Sequence, residues 1–379
     1  MNFNRIQKVE SSLTPHRALV IYGPRRIGKT TLVKRYMAEH KDRLNIRYES
    51  GDDLGIRDLF KGQSKEALID FVKPYDCLII DEAQMVSYIG IGIKMIIDEL
   101  PDKTIILTGS SSFLLAQEIG APLLGRHFEI KLLPLSWNEI AITDYDRKNN
   151  LENLLIYGSY PEVLLSDNSK EKEQVLKEIV SSFLFKDAFM LDKIKSHDTL
   201  VNITKCLAFQ IGSEVSINEI SRTVGADVKT VSKYVDALEK SFIIKKVTAF
   251  SRNPRNEISK KAKYYFYDLG IRNAIISRFQ GLDNRDINDK GALFENYIFM
   301  ELYKRELTKS AYFNEIYFWR NKKGKEVDIV IEKDGKVHAY ECKFTERKVD
   351  FSDFLEMYPQ AETILVHKEN ISEVLHRDA

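Results

Sequence analysis

Short apolar runs separated by longer stretches of helical spacing dominate the first third of the chain. Ala18-Leu19-Val20-Ile21-Tyr22, Asn45-Ile46-Arg47-Tyr48-Glu49, Cys77-Leu78-Ile79-Ile80 and Thr104-Ile105-Ile106-Leu107 each read as a strand. Near-continuous apolar character predicts burial on both faces of a parallel sheet. Leu124-Gly125-Arg126-His127-Phe128-Glu129-Ile130 leads through a further strand into Leu132-Leu133-Pro134-Leu135-Ser136. From Leu151 to about Ser196 the pattern turns helical, with Leu151, Leu154, Leu155, Val175, Leu176, Ile179, Val180 and Phe183 in step, interrupted by a tight turn at Gly158-Ser159-Tyr160-Pro161-Glu162. Residues 144–150 and 167–173 read as short charged linkers. The expected fold class is α/β, with no internal repeat.

Between residues 199 and 268 the pattern changes again. A helix over 200–210 is followed by Ser216-Ile217-Asn218-Glu219-Ile220, which opens a second helix with a capping signal; Gly225 turns the chain. Asp227 then caps a third helix over 228–240, with Val231, Tyr234, Val235 and Leu238 on one side and Lys229, Thr230 and Lys233 on the other. Strands over 243–250 and 262–267 complete a winged-helix pattern, in which the third helix would read DNA. Arg252, Arg255, Lys260, Lys261 and Lys263 form a basic cluster between and beside these strands that could meet phosphates. Winged helices also serve protein partners, and a basic loop is often merely solvated.

The first apolar run flows into Gly23-Pro24-Arg25-Arg26-Ile27-Gly28-Lys29-Thr30-Thr31, which has the GxxxxGK[ST] form of a phosphate-binding P-loop. Gly23 and Gly28 let successive N–H groups turn inward, and the following helix presents its positive end to the same anion. Lys29 is placed to reach the β- and γ-phosphates of ATP, and the Thr30 hydroxyl to ligate Mg²⁺. Cys77 to Glu82 has the form of a Walker B strand, with Asp81 expected to hold Mg²⁺ through water and Glu82 to polarise the attacking water. An Asp-Glu pair after a strand also suits an ordinary helix start.

At the other end of the chain, Gly291 to Ile298 opens an amphipathic helix and Ile316 to Arg320 is a strand. Val327-Asp328-Ile329-Val330-Ile331 and Val337-His338-Ala339-Tyr340-Glu341-Cys342-Lys343 flank Asp334-Gly335, a strong hairpin signal. With that turn at the centre, Asp328 lies opposite Glu341, and Lys343 projects from the same face. Opposed carboxylates repel, and they persist most readily around a cation. Solvated charges on a plain hairpin would give the same residues.

Length and charge narrow the partners. The 379 residues suffice for two to four domains, and 57 Lys and Arg against 56 Asp and Glu leave no global basic field. Cys77, Cys206 and Cys342 are widely spaced, which argues against a disulfide scaffold or a zinc site. The first residues lack a signal-peptide core and no apolar stretch approaches about 18 residues, so a cytoplasmic protein without a membrane partner is expected.

The P-loop, the Walker B strand and the Thr108-Gly109-Ser110-Ser111-Ser112 turn together resemble the AAA+ ATPases. The resemblance places Ser110 at the sensor-1 position, makes Arg126 an arginine finger for a neighbouring subunit, and makes the 144–198 segment a helical lid, though no arginine suits the sensor-2 role. A finger acting in trans implies a homo-oligomer, with a hexameric ring as one form. The Asp328, Glu341-x-Lys343 set resembles the PD-(D/E)XK nuclease motif, which implies Mg²⁺ held by Asp328, Glu341 and the first-helix Glu295, with the Cys342 carbonyl able to join them and Lys343 positioning the attacking water. Phe294-Glu295-Asn296, Phe318-Trp319-Arg320 and Glu326-Val327-Asp328 resemble a broad group of prokaryotic AAA+ ATPases with C-terminal restriction-endonuclease-like domains. The implied organisation is an ATPase core over 1–143, a lid over 144–198, a winged helix over 199–268 and a nuclease-like domain over 269–379. The implied function is an ATP-driven protein that binds duplex or branched DNA, with metal-dependent cleavage as one outcome. The alternative is a nucleotide-dependent switch whose C-terminal modules bind DNA or a partner protein uncut.

Overall fold

The computed structural model describes residues 3–376 except 63, 111–121, 141–142, 182–193, 252–261 and 310–313. The fold is α/β and forms two compact units: Asn4–Leu133 with Lys240–Phe242, and Pro134–Glu239 with Ile243–Ala379. The segments expected as lid, winged helix and nuclease-like domain fall within the second unit, apart from Lys240–Phe242 of the winged-helix segment.

In the first unit the apolar runs become β1 (Ala18–Tyr22), β2 (Ile46–Ser50), β3 (Cys77–Asp81), β4 (Thr104–Gly109) and β5 (His127–Lys131) of one sheet, ordered β2-β3-β4-β1-β5. Every neighbouring pair is parallel. Helices Leu54–Lys61, Lys65–Val72 and Ile89–Glu99 contribute Ile56, Phe60, Leu68, Val72, Ile93 and Ile96 to a core that also contains Leu78, Ile80, Ile105 and Leu107 of the sheet. Because a parallel sheet gathers its strand ends at one edge, β1, β3 and β4 deliver their following loops to a common place.

In the second unit, the expected linkers at 144–150 and 167–173 are instead parts of helices Asp144–Tyr157 and Ser169–Ile179. Thr143 and Asn168 cap them by accepting the N–H of Asp146 and Glu171, so charge marks a solvated helix face here and not a break. Helices His197–Phe209, Ile217–Val224 and Val228–Lys240 follow, with Ser216 and Asp227 capping the last two as expected. Strands β6 (Glu214–Val215), β7 (Ile244–Val247) and β8 (Ala262–Phe266) form an antiparallel sheet in the order β6-β8-β7. β7 stops short of the expected residue 250, because Thr248 to Phe250 pair with Phe318 of the next sheet.

That sheet runs β12-β11-β10-β9, from β9 (Ile316–Arg320), β10 (Glu326–Lys333), β11 (Lys336–Cys342) and β12 (Glu362–Val366). Asp334 and Gly335 turn the hairpin with φ of 51° and 75°, the left-handed pair a two-residue turn requires. Ile329 pairs with Tyr340, and extending this register sets Asp328 opposite Glu341 as expected. One extra β10 residue against β9 makes a bulge between Val327 and Val330, and Asp328 sits in it. Bulges re-aim side chains. Among the described residues no helix is long and apolar enough to cross a membrane.

Asp268 fixes the second unit internally. Its carboxylate accepts the N–H groups of Ser159 at 2.7 Å and Ile271 at 3.0 Å, and burial raises its pKa to about 6 against those bonds. A carboxyl whose pKa rises on folding stabilises the fold fully below its unfolded value of about 3.8, and that contribution fades as pH rises through about 6. Asp268→Asn should therefore flatten the fall in melting temperature across this window, measured by thermal unfolding at a series of pH values.

Candidate functional site

The loop after β1 is shaped by close backbone approach. A Cβ on Gly23 would lie 1.9 Å from the Leu132 carbonyl oxygen, so only glycine fits, while Gly28 at φ +96° is the N-cap residue of the helix Lys29–His40. Arg26 also takes a left-handed φ of 60°. Arg5 holds the loop from outside by donating to the carbonyls of Ile27 and Leu133. Pro24 and Ile27 are buried, Arg25 and Arg26 half-buried, and Thr31 exposed. Lys29 is 5% exposed and donates to the Gly23 and Pro24 carbonyls at 2.9 Å each, so its ammonium is drawn across the loop.

Asp81, at the tip of β3, collects donors from three other elements. Thr30 Oγ1 donates to its Oδ2 at 2.7 Å, Tyr48 Oη of β2 to the same oxygen at 2.8 Å, and Thr108 Oγ1 of β4 to Oδ1. Burial first, then the bond to Asp81, pushes the Tyr48 phenol well above its ordinary pKa, so it stays a donor. Thr108 also accepts the Glu82 N–H at 3.2 Å. Glu82 has a left-handed φ of 51°, which turns its side chain off the strand direction. Gln84 Nε2 donates to Glu82 Oε2 and, at 3.1 Å, to Ser110 Oγ, linking these two residues; Gln84 Oε1 is buried without a partner.

The structure thus brings together Gly23, Gly28, Lys29, Thr30, Asp81, Glu82 and Ser110. Tyr48, Gly51, Gln84 and Arg5 join them unannounced by the sequence motifs, and Thr108 joins from the first position of the Thr108–Ser112 turn. Arg126 stands apart. It precedes β5 beside Ala18, at the opposite edge of the sheet from the loop after Tyr22, and its Nε lies 3.0 Å from Asp98 Oδ1.

The C-terminal residues also meet, in an unexpected way. Lys343 Nζ is 2.6 Å from Glu341 Oε1 and 3.6 Å from Asp328 Oδ2, and the latter oxygen accepts the Cys342 N–H at 2.8 Å. Burial, then Asp328, raises the Glu341 pKa; burial opposes the Lys343 charge, but Asp328 and Glu341 outweigh it and raise its pKa. Glu295 Oε1 accepts Tyr265 Oη at 2.6 Å and Lys263 Nζ at 2.9 Å. Lys263 was expected to face phosphates; it is instead fully buried, bonded to Glu295 and Glu326, because β8 lies inside the unit. Among the described residues no group of three or more His, Cys, Asp or Glu side chains is arranged to hold a metal ion. Each carboxylate of the expected ligand set contacts a lysine, Asp328 and Glu341 meeting Lys343 and Glu295 meeting Lys263.

On the helix Val228–Lys240, Lys229 and Lys233 are exposed, whereas Thr230 spends its hydroxyl on Asp227 at 2.6 Å. Arg252, Arg255, Lys260 and Lys261 lie outside the described residues, as do Ser111 and Ser112.

Family models match the chain in three consecutive pieces. Residues 15–141 match an AAA domain, 148–284 a domain of unknown function (DUF8612) and 290–377 a second domain of unknown function (DUF4143). The stretch similar to the AAA domain carries the glycine loop and all five strands of the parallel sheet. An uncharacterized protein of Haemophilus influenzae is 28% identical over 360 residues, covering 87% of this chain and 80% of its own length. The uncharacterized protein MJ1544 of Methanocaldococcus jannaschii is 26% identical over 355 residues, covering 88% and 76%. Partial structural overlaps include AMPPCP-bound DnaA of Aquifex aeolicus (19% identity, TM-score 0.28, 61% of this chain and 84% of that one). The Aeropyrum pernix ORC1 protein in complex with DNA is another (15%, 0.31, 70% and 87%).

The close backbone packing beside Asp81 yields one stability prediction. Gly51 donates its N–H to the Asp81 carbonyl at 2.7 Å, and a Cβ there would come within 2.3 Å of the Glu82 carbonyl oxygen. Gly51→Ala should cost about 1–3 kcal/mol, read as a lower urea midpoint at unchanged slope.

Proposed function

We propose that this chain binds and hydrolyses ATP with Mg²⁺ at the loop 23–31, and uses the nucleotide state to control binding of DNA by its second unit, without cutting it. The observation that carries the reading is the meeting of Thr30 and Asp81 at 2.7 Å beside a glycine loop that tolerates no Cβ at Gly23. The residues fit a nucleoside triphosphate: a helix N-terminus and the Lys29 ammonium for its anionic end, and a hydroxyl beside a carboxylate for a hard cation. Bound Mg²⁺ would neutralise charge on the phosphates. In this assignment Lys29 holds the phosphate end, Thr30 and Asp81 hold the cation, and Glu82 orients water for attack while the Gln84 amide steers the Glu82 carboxylate from Ser110.

Arg126 acts in trans on this reading, because its place at the far edge of its own sheet favours a neighbouring copy's loop. A homo-oligomer follows. The order helix, short strand, two helices and two strands over His197–Phe266 supports a winged helix, and exposed Lys229 and Lys233 on its third helix support phosphate contact. The lysine-occupied carboxylates of the C-terminal part favour binding over cleavage.

Steady-state ATP turnover and nucleotide affinity, measured on the same variants, test the assignment. Glu82→Gln should retain ATP binding and lose about 10²–10⁴-fold in rate, while Lys29→Ala loses affinity. Arg126→Ala should bind ATP normally and lose about 10³-fold or more. Equal loss of affinity in Glu82→Gln and Lys29→Ala would remove the role given to Glu82, and a fully active monomer would remove the trans finger. Labelled duplex should bind and remain uncut with Mg²⁺.

A further inference from the structure

Two pairs of carboxylates meet two lysines where β8, the long helix Ile287–Lys309 and the β10–β11 hairpin come together: Glu295 and Glu326 at Lys263, and Asp328 and Glu341 at Lys343. Such a concentration of like charge in a buried place demands compensation. The chain supplies it from within. Lys263, with no exposed side-chain surface, bonds Glu295 Oε1 at 2.9 Å and also bonds Glu326. Arg320 reaches Glu326 at 3.7 Å and Glu214 at 3.0 Å, and Lys343 takes Glu341 and Asp328.

We propose that Lys263 is a built-in cation, standing between Glu295 and Glu326 in the place of a divalent metal, so that this cluster excludes metal and works as a clasp between β8, the long helix and β10. The inference stands on the second unit alone and is independent of the nucleotide assignment.

Three observations support it. The Glu295 oxygen that a metal would need already accepts both Lys263 and the Tyr265 hydroxyl, and the other oxygen packs on Gly212, where a Cβ would come within 3.2 Å. A hard cation such as Mg²⁺ retains several waters and needs room for them, which a fully buried ammonium denies. Lys343 likewise takes Glu341 at 2.6 Å and Asp328 at 3.6 Å, so a further cation at either pair of carboxylates would meet an ammonium already in place. Lys263 belongs to the three-stranded sheet, and its partners belong to the long helix and the C-terminal sheet. The same bond therefore ties the two sheets together.

Mn²⁺ binding to the full-length, nucleotide-free protein, counted by electron paramagnetic resonance, tests the proposal with wild type, Glu295→Gln, Lys263→Ala and Lys263→Ala/Glu295→Gln. Any ion held at the loop 23–31 is common to all four and cancels in the comparison. Wild type and Glu295→Gln should bind the same number of ions. Lys263→Ala should gain one, with affinity at least about tenfold above wild type, and its melting temperature should rise with Mn²⁺ by mass action; the double variant should lose both gains. A folded Lys263→Ala protein that gains no ion would overturn the proposal, as would a wild-type ion that Glu295→Gln removes. Should Lys263→Ala fail to fold, a folded double variant together with equal Mn²⁺ counts in wild type and Glu295→Gln supports the clasp. An unfolded double variant in that case contradicts it, because removing the paired charge should restore the fold.

Discussion

The first unit depends on one buried carboxylate. Asp81 is 5% exposed, and a charge so placed is tolerable only when its oxygens are fully used. Thr30, Tyr48 and Thr108 use them, and each comes from a different element: the helix after the loop, β2 and β4. The backbone extends the same arrangement. The Asp81 carbonyl takes the Gly51 N–H, and Thr108 passes its lone pair to the Glu82 N–H. The proposed cation site, the proposed water-orienting glutamate and the β2–β3–β4 edge are thus one hydrogen-bonded assembly, and none can move without disturbing the others.

The second unit solves the same problem with charged donors. There the carboxylates outnumber what neutral donors can satisfy, and lysines are drawn inside to meet them. Removing one partner of such a buried pair costs about 3–5 kcal/mol in typical cases, because the survivor is left charged and dry. That coupling makes Lys263 and Glu295 matter to the joint between the two sheets whatever the C-terminal part binds. It also separates two properties that the sequence motif joins. The Asp328, Glu341 and Lys343 spacing is present, and within it the Lys343 ammonium contacts both carboxylates.

Local signals were legible in the sequence and distant pairings were not. The glycine loop, the Cys77–Asp81 strand, the Asp334-Gly335 turn and the caps at Ser216 and Asp227 each depend on a few adjacent residues, and each appears where the pattern puts it. Charge misled where context decides. Residues 144–150 and 167–173 look like linkers because their helices face water, and Lys263 looks solvated because Lys260 and Lys261 precede it. Its burial is set by Glu295 and Glu326, which no local window contains. Tyr48 and Gln84 carried no motif signal, since their roles exist only once β2 and the turn after β3 stand beside Asp81.

Calorimetric titration of the nucleotide-free protein with ATP, in Mg²⁺ and in chelator, on wild type and Thr30→Ala, tests the central claim most directly. The account predicts one saturable site per chain whose affinity is strengthened by Mg²⁺ in wild type and indifferent to it in Thr30→Ala. Absence of saturable binding, or an undiminished Mg²⁺ response in Thr30→Ala, would contradict it.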